Sequence, residues 1–309
     1  MDINKIVQVL GSNEINLRLY FTAKKPNDKY YSYSPLVREG LQKELINLTR
    51  SYLTGFISKE QLQFNPISSM DDTIEYCDIG YIGNYDDVIE SYRDINCDRT
   101  DIIPDDINKL TFYCMEINYI ESGQNKYIRL FRRVTKFKKL SKSGILGLIK
   151  NNEFSKLDNN ILGLDGFTDI VVFENEVLIL NRISLERIFS IHDQYERKAK
   201  ETISVIKEID KIENFDQFEE DCLSDKRIKK TLTKMADKWE RLEQSLSNFE
   251  KIEDTIDMFD IDIDIDIDDA DSKKIIYENK EQLKEILRLI GDAYYKSVNL
   301  ERIGVDDIG

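Results

Sequence analysis

Apolar residues alternate with polar ones over 14–24, where Ile15, Leu17, Leu19 and Phe21 fall on one side of an extended chain, and this predicts a strand. Over 35–56 the period changes. Leu36, Leu41, Leu45, Leu48 and Leu53 recur about once per helical turn, and Pro35 suits the first turn of a helix. LQFNPI and TIEYCDI read as short strands, and DDVIESY as a short helix inside an otherwise loop-like acidic region, 84–108. From Leu110, LTFYCMEINYI and YIRLFRRVTKF predict two strands joined by a turn at Gly123. A second hairpin follows at 167–181, FTDIVVF and VLILN around ENE. Ser184 is then placed to cap a helix that packs through Leu185, Ile188 and Phe189.

Beyond His192 the pattern turns helical. QYERKAKETISVIKEIDKI has neither Gly nor Pro. Leu232, Met235, Trp239, Leu242, Leu246, Phe249 and Ile252 form one apolar stripe, which predicts a single long helix over about 225–256. A late helix is predicted over 277–296. The chain therefore reads as α+β, with a mixed or antiparallel sheet in the first half and a helical C-terminal half. The expected division is a sheet-rich domain with a basic hairpin over 1–190 and a helical region over 191–309 that carries an acidic Asp/Ile insertion.

That insertion, FDIDIDIDIDDAD at 259–271, has two main readings: a strand with an isoleucine face and an aspartate face, or an expanded acidic connector. In a strand, successive aspartates on one face stand about 6.5 to 7 Å apart, too far for one ion to bridge them all. The resemblance to a calcium loop fails at Ile265, where glycine is needed, and at Asp271, which replaces the terminal glutamate.

Charge sharpens the picture. Among 309 residues the formal net charge is −15, which repels nucleic acid at long range. Yet from Gly123 to Asn152 there is no acidic residue. Lys126, Arg129, Arg132, Arg133, Lys136, Lys138, Lys139, Lys142 and Lys150 all lie there. Aromatic residues are mixed in at Tyr127, Phe131 and Phe137. Three readings are open for this arm: phosphate contact with nucleic acid, internal pairing with the protein's own carboxylates, and docking to an acidic partner or membrane headgroups. The candidate nucleic-acid contacts are Lys126, Arg129, Arg132, Arg133, Lys136, Lys138, Lys139 and Lys142.

Chemistry is less legible. No GxxxxGK[ST] phosphate loop occurs, and LGLDGF at 162–167 reads as a turn into a strand. Cys77, Cys97, Cys114 and Cys222 are scattered, and His192 is the only histidine, which excludes a zinc site built from several histidines. No apolar run approaches the roughly 20 residues of a membrane span, and the N-terminus lacks the pattern of a signal peptide, so a cytoplasmic protein is expected. A metal-dependent nuclease would draw on Asp105, Asp106, Glu116, Asp165, Asp169, Glu174 and Glu176, with Glu116 and Lys126 approaching across the first hairpin. Each of these carboxylates has an equally good surface explanation. No catalytic residue, metal ligand or cofactor is assigned.

The run ILGLDGFTDIVVFENEVLILNRISLERIFSIHDQYERKAKETI, 161–203, resembles the KwaB-like proteins of the Kiwa anti-phage defence system through Asp169, Phe173, Asn181, Arg182, Leu185, Glu186, Phe189 and Ala199. LTFYCMEINYI with YIRLFRR, and NKEQLKEILRLIGDAYYKSVNL, are similar to the family's preceding strand pair and late helix. The resemblance implies bacterial defence, DNA binding, and work beside a small membrane protein, KwaA, at the inner membrane. Combined with the basic arm, it favours non-catalytic DNA binding, with the helical half making homo-oligomer or partner contacts. The alternatives are a metal-dependent nuclease and a protein-interaction module that does not bind DNA directly.

Overall fold

The computed structural model describes residues 2–24, 29–93, 109–134, 147–150, 153–156, 163–236, 239–266, 273–297 and 302–306. Two compact units emerge: residues 1–64 with 70–191, and residues 65–69 with 192–309.

The first unit begins with α1 (Ile3–Leu10), capped by the Asp2 side chain, which accepts from the Lys5 N–H. Then come β1 (Ile15–Lys24), β2 (Tyr30–Tyr33), α2 (Glu39–Thr54), β3 (Gln61–Gln63), β4 (Ile74–Asp78) and α3 (Tyr85–Arg93). The long hairpin is β5 (Leu110–Glu121) and β6 (Gln124–Arg133). Ser122 and Gly123 make its two-residue turn, both at positive φ (53° and 76°), the geometry that matches the twist of paired strands. A separate small hairpin, β7 (Gly147–Lys150) with β8 (Glu153–Lys156), precedes β9 (Ile170–Phe173), β10 (Glu176–Ile179) and α4 (Arg182–Ile188).

Eight strands form one sheet in the order β2-β1-β5-β6-β9-β10-β4-β3. Every neighbouring pair is antiparallel except β3 with β4, so the sheet is mixed. Side chains alternate between its faces. Leu17, Leu19, Tyr113, Met115, Ile128 and Leu130 pack in one cluster with Ile3, Ile6 and Leu10 of α1 and Leu45 and Leu53 of α2. Side chains of opposite parity, Phe112 and Phe131, make ring contacts with Tyr30, Tyr85 of α3 and Phe189 just beyond α4. With both faces covered, β9 and the last three residues of β10 are buried whatever their parity, and their sequences read as continuous apolar runs.

Helix α4 starts earlier than the sequence suggests. Ser184 is not its cap; the Asn181 side chain accepts from the Ser184 N–H at 3.0 Å and fixes the start at Arg182.

The second unit contains α5 (Ile191–Ile209), β11 (Ile212–Glu213), α6 (Phe215–Ser224), α7 (Lys226–Met235), α8 (Trp239–Leu246) and α9 (Phe249–Phe259). The expected long helix over 225–256 is thus three helices. Asn248 interrupts it: its side chain accepts from the Lys251 N–H and begins α9 afresh. The stripe still serves one core, because Leu232, Met235, Leu242, Leu246 and Ile252 join Ile206, Phe218, Tyr277 and Ile286 in one cluster. Two short strands follow, β12 (Ile265–Asp266) and β13 (Lys274–Ile276), with β13 between β11 and β12. The late helix is also shorter than expected. It is α10 (Leu283–Ile290), ended at Gly291 and followed by β14 (Tyr294–Lys296) paired with β15 (Ile303–Val305).

Across the described part of the Asp/Ile run, the alternation of faces is present but a continuous strand is not. Ile263 is buried and Ile261 and Ile265 half-buried, while Asp260, Asp262 and Asp264 are exposed. Only Ile265 and Asp266 are in the ladder, and residues 267–271 lie outside the described residues.

Candidate anion-binding site at the end of the long hairpin

Strand β6 carries four of the candidate basic residues, and its pleat separates them. Arg129, Phe131 and Arg133 share one face; Ile128, Leu130 and Arg132 share the other. Their partners come from register. Arg129 stands opposite Glu116 of β5, and its Nε donates to Glu116 Oε2 at 2.7 Å. Arg129 Nη1 donates to the Tyr85 hydroxyl at 2.9 Å, and burial pushes that phenol up to about 12. Glu116 therefore meets Arg129, not Lys126 as the nuclease reading expects. Lys126 lies opposite Tyr119 near the turn and pairs with Glu121 at 2.5 Å and Glu174 at 3.2 Å. Both are surface pairs of the kind that stabilises little.

Arg132 is the most heavily constrained of the four. Nη1 donates to Asp169 Oδ1 at 2.7 Å, and Nη2 to Asp165 Oδ2 at 3.0 Å. The guanidinium carbon lies 5.4 Å from the centre of the Phe167 ring. Burial alone would lower its pKa, but the two carboxylates outweigh burial and raise it. Asp169 is almost fully buried, and its other oxygen accepts the Arg133 N–H at 3.0 Å. Its backbone carbonyl accepts from the N–H groups of Leu180 and Asn181. The carboxylate most eligible as a metal ligand is thus the clamp that joins β6 to β9 and to the start of α4. Among the described residues no three His, Cys, Asp or Glu side chains are placed to hold a metal ion.

Arg133 breaks the series. Its backbone is held by Asp169, yet its guanidinium makes no ion pair among the described residues, and neither does that of Arg187 on α4. Burial and then the proximity of Arg187 lower the Arg133 pKa, so two like charges share the end of the sheet. They line a cavity of about 660 Å³ together with Arg132, Asp169, Asn181 and Ser184. The sequence does not mark Arg187 as a site residue; it lies in the last turn of α4, the helix directly after the second hairpin. Lys136, Lys138, Lys139 and Lys142 lie outside the described residues, as do Asp105 and Asp106. Phe131 is fully buried in the core, while Tyr127 is exposed.

Fold and site together define a two-unit α+β protein whose long central hairpin carries internal ion pairs and ends at Arg133, a guanidinium that, with Arg187 of α4, makes no ion pair among the described residues. The family model described as Kiwa protein KwaB-like matches residues 107–299, more than half of the chain. The chain belongs to this KwaB-like family of the Kiwa anti-phage defence system. The match includes Arg132, Arg133, Asp165, Asp169, Asn181 and Arg187, and excludes β1 to β4. Comparisons with curated proteins and with solved structures give no match. Among the described residues no helix is long and apolar enough to cross a membrane.

Proposed function

We propose that this chain is a non-catalytic DNA-binding component of Kiwa defence, which holds DNA through its phosphates and reaches the inner membrane through a KwaA-like membrane protein. Its helical unit makes homo-oligomer or partner contacts. One observation carries the DNA reading. Within the acid-free run that begins at Gly123, Lys126, Arg129 and Arg132 each have carboxylate partners, whereas the Arg133 guanidinium makes no ion pair among the described residues, and Lys136, Lys138, Lys139 and Lys142 follow it in the sequence. Lys and Arg side chains that neutralise phosphates are what such binding uses, and Arg133 with the four lysines after it supplies a run of them. The internally paired residues support the hairpin that presents it.

The test is DNA binding by the folded wild type and by a variant with Arg133, Lys136, Lys138, Lys139 and Lys142 changed to Glu. Loss of binding in the variant is expected; equal binding by both proteins removes the assignment. Copurification with a KwaA-like protein tests the membrane link separately. Copurification without any DNA binding by the isolated chain would favour the pure interaction module.

A further inference from the structure

We propose that the cavity between the end of β6 and helix α4 is a binding pocket for a terminal phosphate group on a nucleotide-sized ligand, held by Arg133 and Arg187. Three features support it. The volume, about 660 Å³, lies in the range of small-ligand pockets, about 300–1,000 Å³. Three arginines and one aspartate line it, so the lining is net positive, and it stays positive when Asp165 beside Arg132 is included. The cationic groups are also unequal. Arg132 is committed to Asp165 and Asp169, and both Asp169 oxygens accept hydrogen bonds, one from Arg132 and one from the Arg133 N–H. Arg133 and Arg187 are uncommitted among the described residues, and each lowers its repulsion from the other when an anion lies between them.

The site's shape selects among phosphates. A concave pocket admits a chain end or a free nucleotide, whereas an internal phosphodiester would have to thread a continuous strand through it. Asn181 and Ser184 also line the cavity and add polar groups beside the arginines. The pocket shares Arg133 with the DNA-binding arm, but it does not require the arm to bind DNA, and Arg187 belongs to the pocket alone.

The experiment titrates the full chain with inorganic phosphate, with deoxyadenosine monophosphate, and with a short single-stranded oligonucleotide carrying either a 5′-phosphate or a 5′-hydroxyl. Wild type, Arg187→Gln and the surface control Lys43→Gln are compared, with thermal melting to confirm folding. Wild type binds the mononucleotide, Lys43→Gln matches it, and Arg187→Gln binds about tenfold more weakly or worse, as expected for one lost charge-assisted contact. A preference of tenfold or more for the 5′-phosphorylated oligonucleotide identifies a strand terminus as the source of the phosphate; its absence, with mononucleotide binding retained, identifies a free nucleotide. If neither phosphate nor mononucleotide binds the folded wild type, or if Arg187→Gln binds as wild type does, the pocket assignment fails. That failure leaves the comparison of DNA binding by wild type and by the charge-reversed arm as a separate result.

Discussion

Replacing Asp169 by alanine removes two interactions at one almost fully buried position. The first is the charge-assisted contact with Arg132 Nη1 at 2.7 Å, a class that contributes about 1.5–3 kcal/mol. The second is the acceptor for the Arg133 N–H at 3.0 Å, whose loss leaves a backbone donor unsatisfied at a cost of about 1–3 kcal/mol. Arg132 keeps Asp165 and is partly solvated, which pulls the sum toward its lower end. Asp169→Ala should therefore destabilise the first unit by about 3 kcal/mol. Asp169→Asn keeps an acceptor for Arg133 and should cost about half as much. Hydrogen exchange over 124–133 and 170–179 reads the loss where it occurs, and urea denaturation gives its size. A change under about 0.5 kcal/mol for alanine, within the range of ordinary surface substitutions, would refute the clamp. The same variants address the nuclease alternative. With divalent metal added, wild type and Asp169→Asn should both leave DNA intact; cleavage by wild type that Asp169→Asn abolishes would establish the enzyme reading.

Gly166→Ala should destabilise the first unit by about 1–3 kcal/mol in a thermal or urea melt, because the added Cβ would stand 2.6 Å from Leu48 Cβ and 2.9 Å from the Leu48 carbonyl carbon; wild-type stability would show that the loop yields freely. In the second unit, Asp221 accepts from Gln217 at 3.0 Å and from the Tyr277 hydroxyl at 2.7 Å, and Lys280 lies 3.2 Å away. The Gln217 and Tyr277 hydrogen bonds, followed by Lys280, hold its carboxyl below the ordinary aspartate range. Its stabilising contribution is therefore complete above about pH 4 and is lost as pH falls below that value. Melts from pH 7 to pH 2 should show Asp221→Asn losing less stability on acidification than wild type; parallel curves would contradict the network.

The alternation in β1 was legible because Leu17, Leu19 and Phe21 pack in one cluster with α1 and α2, and the long hairpin because Gly123 marks its turn. Strands β9 and β10 were found through apolar content alone, since both of their faces are covered. Helix α1 was hidden in a short segment, and α6 lies between two longer patterns. The division of 225–256 was hidden for a different reason: α7, α8 and α9 keep one apolar stripe through the break, so periodicity does not register it, while Asn248 as a cap does. At the site, the charge run was legible but its pairing was not. Cross-strand register decides that Arg129 meets Glu116, and a contact over 36 residues decides that Asp169 holds the Arg133 N–H. Periodicity carries no information about either. The place of Arg187 in the site is not legible in sequence, because it comes from sharing a cavity with Arg133, a tertiary relation.

The most direct test of DNA binding at the end of the long hairpin is the salt dependence of affinity for a DNA duplex, compared between wild type and the protein with Arg133, Lys136, Lys138, Lys139 and Lys142 changed to Glu. Each phosphate contact contributes about 0.9 to the slope of log affinity against log salt, so five such contacts contribute about 4 to 5. A steep slope is expected for wild type, and loss of most of it, with the binding, in the charge-reversed protein. Equal affinity and equal slope in two folded proteins would contradict it.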